Sequence, residues 1–311
     1  TFGGAVGTYR PLWSVYTDGA ASTPGNTVAF DQGTVVTLGD QTYGELAVLG
    51  THTTLKSLGQ GRITFEGPVR AAIDGQQSLT VDTSGDIVFN GPVGDNNQRL
   101  ASFDAGQSTD GTVHIHGGGI TTAGTQVYRQ QVELGEHAIL TGTTGTFNTG
   151  IDGNGHDLTL RFSGPTDLEG SKFTGVRRLA SDGTGVTRVT GTVATSGTQT
   201  YDGDVVLGTD VVLQSTGTGT DGDITLAGPV DGAHQLHIDT AGTTRLAGTV
   251  GGTTALASLS TDGPGLTTIG GGGVRTTGSQ TYSDAVQLTA DAVLTSTQAG
   301  DVSFGATVDG P

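Results

Sequence analysis

The sequence predicts an all-β fold, a right-handed parallel β-helix (β-solenoid) built from repeats of about 80 residues. Three observations predict it. A Gln-x-Tyr tripeptide returns at Gln41-Thr42-Tyr43, Gln126-Val127-Tyr128, Gln199-Thr200-Tyr201 and Gln280-Thr281-Tyr282, at gaps of 85, 73 and 81 residues. Apolar residues arrive one or two at a time, about every 8–12 residues, with Gly, Asp, Asn or Thr between them, as many short strands with regular turns require. The composition is dominated by Gly, 56 residues, with Thr about as frequent, and has no Cys and no Met.

That composition works against helices. Gly costs roughly 1 kcal/mol relative to Ala inside a helix, and β-branched side chains lose χ1 freedom there. Thr and Val fit a pleated, half-buried surface, and Gly-Asp and Gly-Asn pairs fit the turns between strands. A Cys-free chain of 311 residues is long enough to fold without disulfides and suits a bacterial exoprotein that crosses membranes unfolded. The net charge is −17, and the 13 Lys and Arg are scattered, which speaks against a nucleic-acid surface. No apolar run is long enough for a membrane-spanning helix. The chain opens on Thr1-Phe2-Gly3-Gly4 without Met and without a visible signal peptide, so it reads as processed or as a piece.

The elements of a unit follow in fixed order. Paired apolar residues follow Gln-x-Tyr, as in Val205-Val206-Leu207 and Val286-Gln287-Leu288. Short alternating strands come next: Ile63-Thr64-Phe65, Ile224-Thr225-Leu226 and Val302-Ser303-Phe304. Val-Asp-Gly follows at 230–232 and 308–310, then Leu79-Thr80-Val81 or Leu236-His237-Ile238, then Phe89 or Leu246. A Leu marker closes the unit at Leu100, Leu179 and Leu256, each opening Leu-Ala-Ser, with Leu12 of Leu12-Trp13-Ser14 as its counterpart. An Asp-Gly pair accompanies it at Asp18, Asp110, Asp182 and Asp262. The chain thus divides into a partial repeat 1–40, repeats 41–125, 126–198 and 199–279, and a partial repeat 280–311, all one continuous solenoid. It starts and ends in mid-unit, and neither end reads as the polar cap that a repeat stack normally carries. Further repeats of the same chain, or copies of it joined end to end or laterally, are the expected continuation.

With about three landings per coil, each unit should hold roughly three coils and the chain about eleven to twelve. Crossovers between parallel strands should be right-handed. Leu, Val, Ile and Phe should fill the inside, with Thr and Ser outside. The Gln-Thr-Tyr, Leu-Ala-Ser and Thr-Thr-Gly runs resemble the repeats of large bacterial exoproteins of the filamentous-haemagglutinin and autotransporter-adhesin kind, over essentially the whole chain. That resemblance implies a β-helix shaft exported by a Gram-negative cell to its surface or beyond, where it meets a host or neighbouring cell. The expected role is a structural or adhesive shaft without catalysis. The alternatives are a subunit of an extracellular filament, sheath or surface layer, and, behind it, a β-helix enzyme acting on polysaccharide.

No catalytic, cofactor or metal residue is assigned. Asp-Gly pairs read as turns in which Asp bonds its own backbone and Gly supplies positive φ. Rows of such Asp along one edge would attract Ca²⁺, the one ion left open. Gly153-Asn154-Gly155-His156-Asp157 resembles a calcium nonapeptide but occurs once. His114 and His116 alternate on one strand and share a face, an incomplete zinc pair without a third ligand. Asp202 with Asp204 and Asp221 with Asp223 are acidic pairs, but a carboxylate mechanism needs them to converge. Thr-rich ladders reflect β-propensity rather than an ice-binding face, because the units are irregular in length. Tyr43, Tyr128, Tyr201 and Tyr282 are expected to pack on coil corners with the hydroxyl bonded or wet. Trp13, the single indole, is expected at a contact with a neighbouring chain or in a packed surface corner.

Overall fold

The computed structural model describes residues 1–17, 26–95, 97–262 and 264–310. It is an all-β solenoid of about 13 turns, with strands stacked in parallel. The two short 3₁₀ turns, Gly170–Lys172 and Gly219–Gly222, lie at coil corners. The residues group into two compact units, 1–156 and 157–311.

In the first unit each coil visits three faces. The first face carries Gln41–Tyr43, Ile63–Phe65, Ile87–Phe89, Thr112–Ile115 and Gln131–Leu134. The second carries Thr27–Phe30, Leu46–Leu49 and Val69–Ala71, then a single bridge at Val93 and the strand Gly119–Thr121. The third carries Thr34–Thr37, Thr53–Ser57, Leu79–Asp82, Phe103–Ala105 and Gln126–Tyr128. Every ladder is parallel, so backbone hydrogen bonds run from coil to coil and satisfy the polar main chain without water. Side chains alternate, and the inward set is apolar: Ile63, Phe65, Ile87, Phe89, Val113 and Ile115 are each fully buried.

The second unit repeats the plan. Leu179–Ser181, Gln199–Tyr201, Ile224–Leu226, Thr243–Leu246, Leu266–Ile269 and Ala285–Leu288 stack on one face. The long strands Thr187–Thr195 and Val205–Thr218 each serve two faces, and the first bends at Gly191, where φ is +69° and the register shifts.

The repeat and the coil are not commensurate, which corrects the expected three coils per unit and eleven to twelve in all. From Gln41–Tyr43, three full turns return to the first face at Thr112–Ile115, and two more strands reach Gln126–Tyr128 on the third face. In the second unit, three turns lead from Gln199–Tyr201 to Leu266–Ile269, and two further strands, Gly273–Thr276 and Gln280–Tyr282, complete the interval. Each of these two repeats therefore takes three and two-thirds turns, and its motif ends on a different face from the one on which it began.

Eight aromatic residues of the first unit gather into one column. In the first unit Phe2, Phe30, Tyr43, Phe65, Phe89, Phe103, Tyr128 and Phe147 follow one another with ring centroids 5.1–5.6 Å apart. Such pairs add about 0.5–1.5 kcal/mol each beyond burial. The expectation that Thr and Ser stand outside holds only in part. Thr37, Thr83, Thr122, Thr195, Thr240 and Thr276 are buried at corners, where their hydroxyls donate to main-chain carbonyls of the turns. A coil corner leaves carbonyls outside the ladder, and a buried acceptor needs a donor.

Glycine also has a second use. Gly228, Gly248 and Gly271 lie one above another at a corner of the second unit. A Cβ on Gly248 would sit 2.1 Å from the carbonyl oxygen of Gly228, and one on Gly271 2.0 Å from that of Gly248. Backbone cannot yield there as a flexible side chain would. Gly248→Ala is expected to lower stability by about 3 kcal/mol, the upper end of overpacking, while Gly252→Ala, on the surface against the Thr249 side chain, should change it by less than about 0.5 kcal/mol. Thermal denaturation of the two variants checks this.

Candidate functional site

The repeated tripeptide is the visible part of a larger buried device. The four sequences are Thr37-Leu38-Gly39-Asp40-Gln41-Thr42-Tyr43, Thr122-Ala123-Gly124-Thr125-Gln126-Val127-Tyr128, Thr195-Ser196-Gly197-Thr198-Gln199-Thr200-Tyr201 and Thr276-Thr277-Gly278-Ser279-Gln280-Thr281-Tyr282, so the unit is Thr-x-Gly-x-Gln-x-Tyr. Gln and Tyr alternate inward, and all eight are fully buried. Each Tyr hydroxyl donates to the Gln Oε1 two residues earlier, at 2.7, 2.8, 3.0 and 3.1 Å along the chain. Each Gln Nε2 donates to the Thr hydroxyl four residues earlier and to a carbonyl of the next coil, on Lys56, Thr141, Gln214 or Thr295. The Thr hydroxyl in turn donates to the Gly carbonyl two residues on. Burial pushes the phenols of Tyr43, Tyr128, Tyr201 and Tyr282 far above their ordinary pKa. These tyrosines therefore lie in the core within strands, not on coil corners as expected, because the Gln carbonyl brings the acceptor inside.

The other markers resolve individually. Leu100, Leu179 and Leu256 are buried, whereas Leu12 in the first coil is 41 % exposed. Asp18 lies outside the described residues. At Asp110-Gly111 the glycine has φ +77°, as a turn requires. Asp182-Gly183 departs from that reading: Gly183 is not at positive φ, and a Cβ there would meet the Phe162 carbonyl oxygen at 2.0 Å, so the glycine serves close approach of coils. Asp182 pairs with Arg161 of the preceding coil, and Asp262 lies 3.4 Å from Nε2 of His237. Within the second unit Asp182 follows Leu179–Ser181 and Asp262 ends Ser258–Asp262, strands of different faces, so these two markers make no row along one edge.

The remaining candidates separate. Asn154 and Gly155 turn the chain at φ +48° and +80°, the Asn154 N–H donating to Asp152, so this segment is a tight turn. The register Gln199↔Ile224 to Tyr201↔Leu226 puts Asp221 and Asp223 before the strand and Asp202 and Asp204 after it, on opposite edges of one face. Asp221 pairs with Arg178, and Asp223 accepts the Thr243 N–H. Trp13 is 80 % exposed, which sets aside the packed corner, and Tyr9 and Tyr16 are exposed near it in sequence.

Ion pairs link successive coils on the outside, among them Lys56–Asp82, Arg62–Asp86, Arg129–Asp104 and Arg99–Asp74. The bidentate Arg99 guanidinium holds the Asp74 carboxyl below its usual range. Stacking in parallel explains the regular partner distance of about one coil.

One outward cleft stands apart from the repeat. It opens on the first face of the first unit, about 330 Å³, lined by Arg62, Thr64, Glu66, Val88, Asn90, His114 and His116. Val88 points outward yet is only 8 % exposed, so it forms the floor. Along one side Asn90 Nδ2 donates to Glu66 at 2.6 Å, and His116 Nδ1 lies 2.9 Å from Asn90 Oδ1. The sequence placed His114 and His116 on one face, as observed, but not Asn90 or Glu66, which come from neighbouring coils. Among the described residues no group of three or more His, Cys, Asp or Glu is arranged to hold a metal ion, and no helix is long and apolar enough to cross a membrane. In comparisons with known proteins, no family model, no curated protein and no solved structure matches this chain.

Proposed function

We propose that this chain is a stretch of a structural, adhesive shaft in a secreted or cell-surface repeat protein of the filamentous-haemagglutinin or autotransporter-adhesin kind, without catalysis of its own. One observation carries the reading. The Thr, Gln and Tyr that the repeat preserves in Thr-x-Gly-x-Gln-x-Tyr lie inside and hold coils together, while the positions on either side of the Gly differ: Leu38, Ala123, Ser196 and Thr277 before it, Asp40, Thr125, Thr198 and Ser279 after it. A sequence repeated for its interior is repeated to build length.

The step of one face per repeat supports a spacer over a layer whose order comes from the repeat itself. A lateral contact built from the repeat itself needs its residues in a row. In the first unit Thr42 and Val127 fall on different faces, as Thr200 and Thr281 do in the second. A spacer that presents no constant side tolerates this; a layer held by the repeated motif would not. The separation of the acidic pairs supports the non-catalytic part of the proposal.

The test is the native protein on a denaturing gel, followed by negative-stain images. A polypeptide far above 31 kDa seen as isolated thin shafts is expected. A species of about that mass packed into regular fibres or layers overturns the reading in favour of a homopolymer.

A further inference from the structure

We propose that His114 and His116 chelate a divalent transition-metal ion on the open first face, copper(II) most tightly. The two residues stand at i and i+2 of the strand Thr112–Ile115 and its exit, so both side chains leave the same side of the sheet. Their ring centroids are 6.0 Å apart, and both line the outward cleft.

What distinguishes this pair from two solvent-facing histidines is that the His116 ring is oriented through its Nδ1. Asn90 faces the Glu66 carboxylate at 2.6 Å, and a carboxylate only accepts, so the amide nitrogen of Asn90 points there and its oxygen points to His116. That oxygen also only accepts, so His116 Nδ1 carries the proton. The lone pair of the neutral ring is then on Nε2. His114 Nδ1 lies 3.7 Å from the Glu133 carboxylate of the following coil, which places a negative charge beside the pair. Metal-bound imidazoles are held in this way, the second ring nitrogen donating to a carboxylate or amide oxygen.

A second observation is independent of the hydrogen bonds. The outward position beside His116 on the following coil is Gly135, and a Cβ there would lie 2.0 Å from Cδ2 and 2.7 Å from Nε2 of the ring. Gly135 has no positive φ to demand glycine. Its lack of a side chain leaves the imidazole its place and keeps a Cβ away from Nε2. The charge also fits, since Glu66 and Glu133 border the rings while the Arg62 guanidinium is held by Asp86 at 2.9 Å. The positions of His114 and His116 are occupied by Thr268 and Gly270 in the third repeat, so the pair is not part of the repeated framework. Two imidazole nitrogens from the protein, with water completing the shell, select copper(II) over nickel(II) and zinc(II).

The experiment is calorimetric titration of the untagged chain with copper(II) and zinc(II), with electron paramagnetic resonance at one equivalent of copper. One copper site is expected to bind more tightly than any other, with splitting from two nitrogens, and more tightly than zinc. His114→Ala and His116→Ala should each weaken it at least tenfold, and Asn90→Ala by about tenfold through loss of ring orientation. Gly135→Ala keeps both histidines and meets only a movable side chain, yet should weaken binding equally; circular dichroism confirms that it folds. Equal copper affinity in the wild type and both histidine variants overturns the proposal and points instead to His137 and His156, whose ring centroids lie 5.6 Å apart; a one-nitrogen spectrum overturns it as well.

Discussion

Gln199→Ala is expected to destabilise the second unit by about 3–5 kcal/mol, far more than an ordinary surface change on the same strand. The glutamine is fully buried, and its amide makes contacts that nothing nearby replaces. Its Oε1 is the acceptor for the Tyr201 hydroxyl at 3.0 Å, and its Nε2 donates to Val193 O, Gln214 O and Thr195 Oγ1 at 3.0, 2.7 and 3.2 Å. Truncation strands a buried phenol, which alone costs about 1–3 kcal/mol, and leaves a cavity with a further cost. Gln199→Leu restores most of the volume but not the acceptor, so it should still cost about 2 kcal/mol. Adding Tyr201→Phe to Gln199→Leu removes both partners, and the double variant should be more stable than the sum of the singles by about 1–2 kcal/mol. Thr200→Ser, one residue away and facing outward, should stay within about 0.5 kcal/mol of wild type. Urea denaturation of these variants measures all of the differences. Additive effects of Gln199→Leu and Tyr201→Phe would mean that the pair does not act as one strut.

The sequence shows this device only in outline, and the reason is physical. Gln-x-Tyr is legible because both residues are large and sparse, and period two places them on one side of a strand. The Thr and Gly that complete the motif are lost among so many other Thr and Gly residues. A threonine can equally face water or donate to a corner carbonyl, and nothing local decides between them. The solenoid itself is legible because strands recur with regular turns. The number of turns per repeat is not, because Val93 and Val250 occupy a face with a single bridged residue and leave almost no strand signal. Counting landings loses such positions, the two-residue strand Val230–Asp231 among them, and the eleven positions of three and two-thirds turns then look like about nine. The cleft shows the same limit. Two alternate histidines are visible in one strand, but Asn90, Glu133 and Gly135 reach them only through the stacking of coils, at separations that depend on loop lengths elsewhere in the chain.

Alkaline titration should unfold the protein steeply. Tyr43 and Tyr128 in the first unit, and Tyr201 and Tyr282 in the second, have phenols raised well above 10.0 by desolvation. In the unfolded chain they ionise near their ordinary value of about 10. The folded state therefore keeps protons that the unfolded state has lost. For a group whose folded pKa is raised, the stabilising contribution is fully present below the unfolded value and is lost as pH rises from there towards the folded one. Each phenol removes about 1.4 kcal/mol of stability per pH unit in that window, so the pair in each unit removes about 3 kcal/mol per unit of pH. A margin of about 5–15 kcal/mol is consumed within a few units above pH 10. Circular dichroism and tyrosinate absorbance followed together test this: the absorbance of the four buried phenols should appear with the loss of β-structure and not before it. Tyr201→Phe, although it costs a hydrogen bond at neutral pH, should halve the steepness for the second unit, because one of its two protons no longer counts. Ionisation of all four phenols with the strands intact would show instead that water reaches the Gln–Tyr struts, and the dry polar interior on which the coil stacking rests would have to be given up.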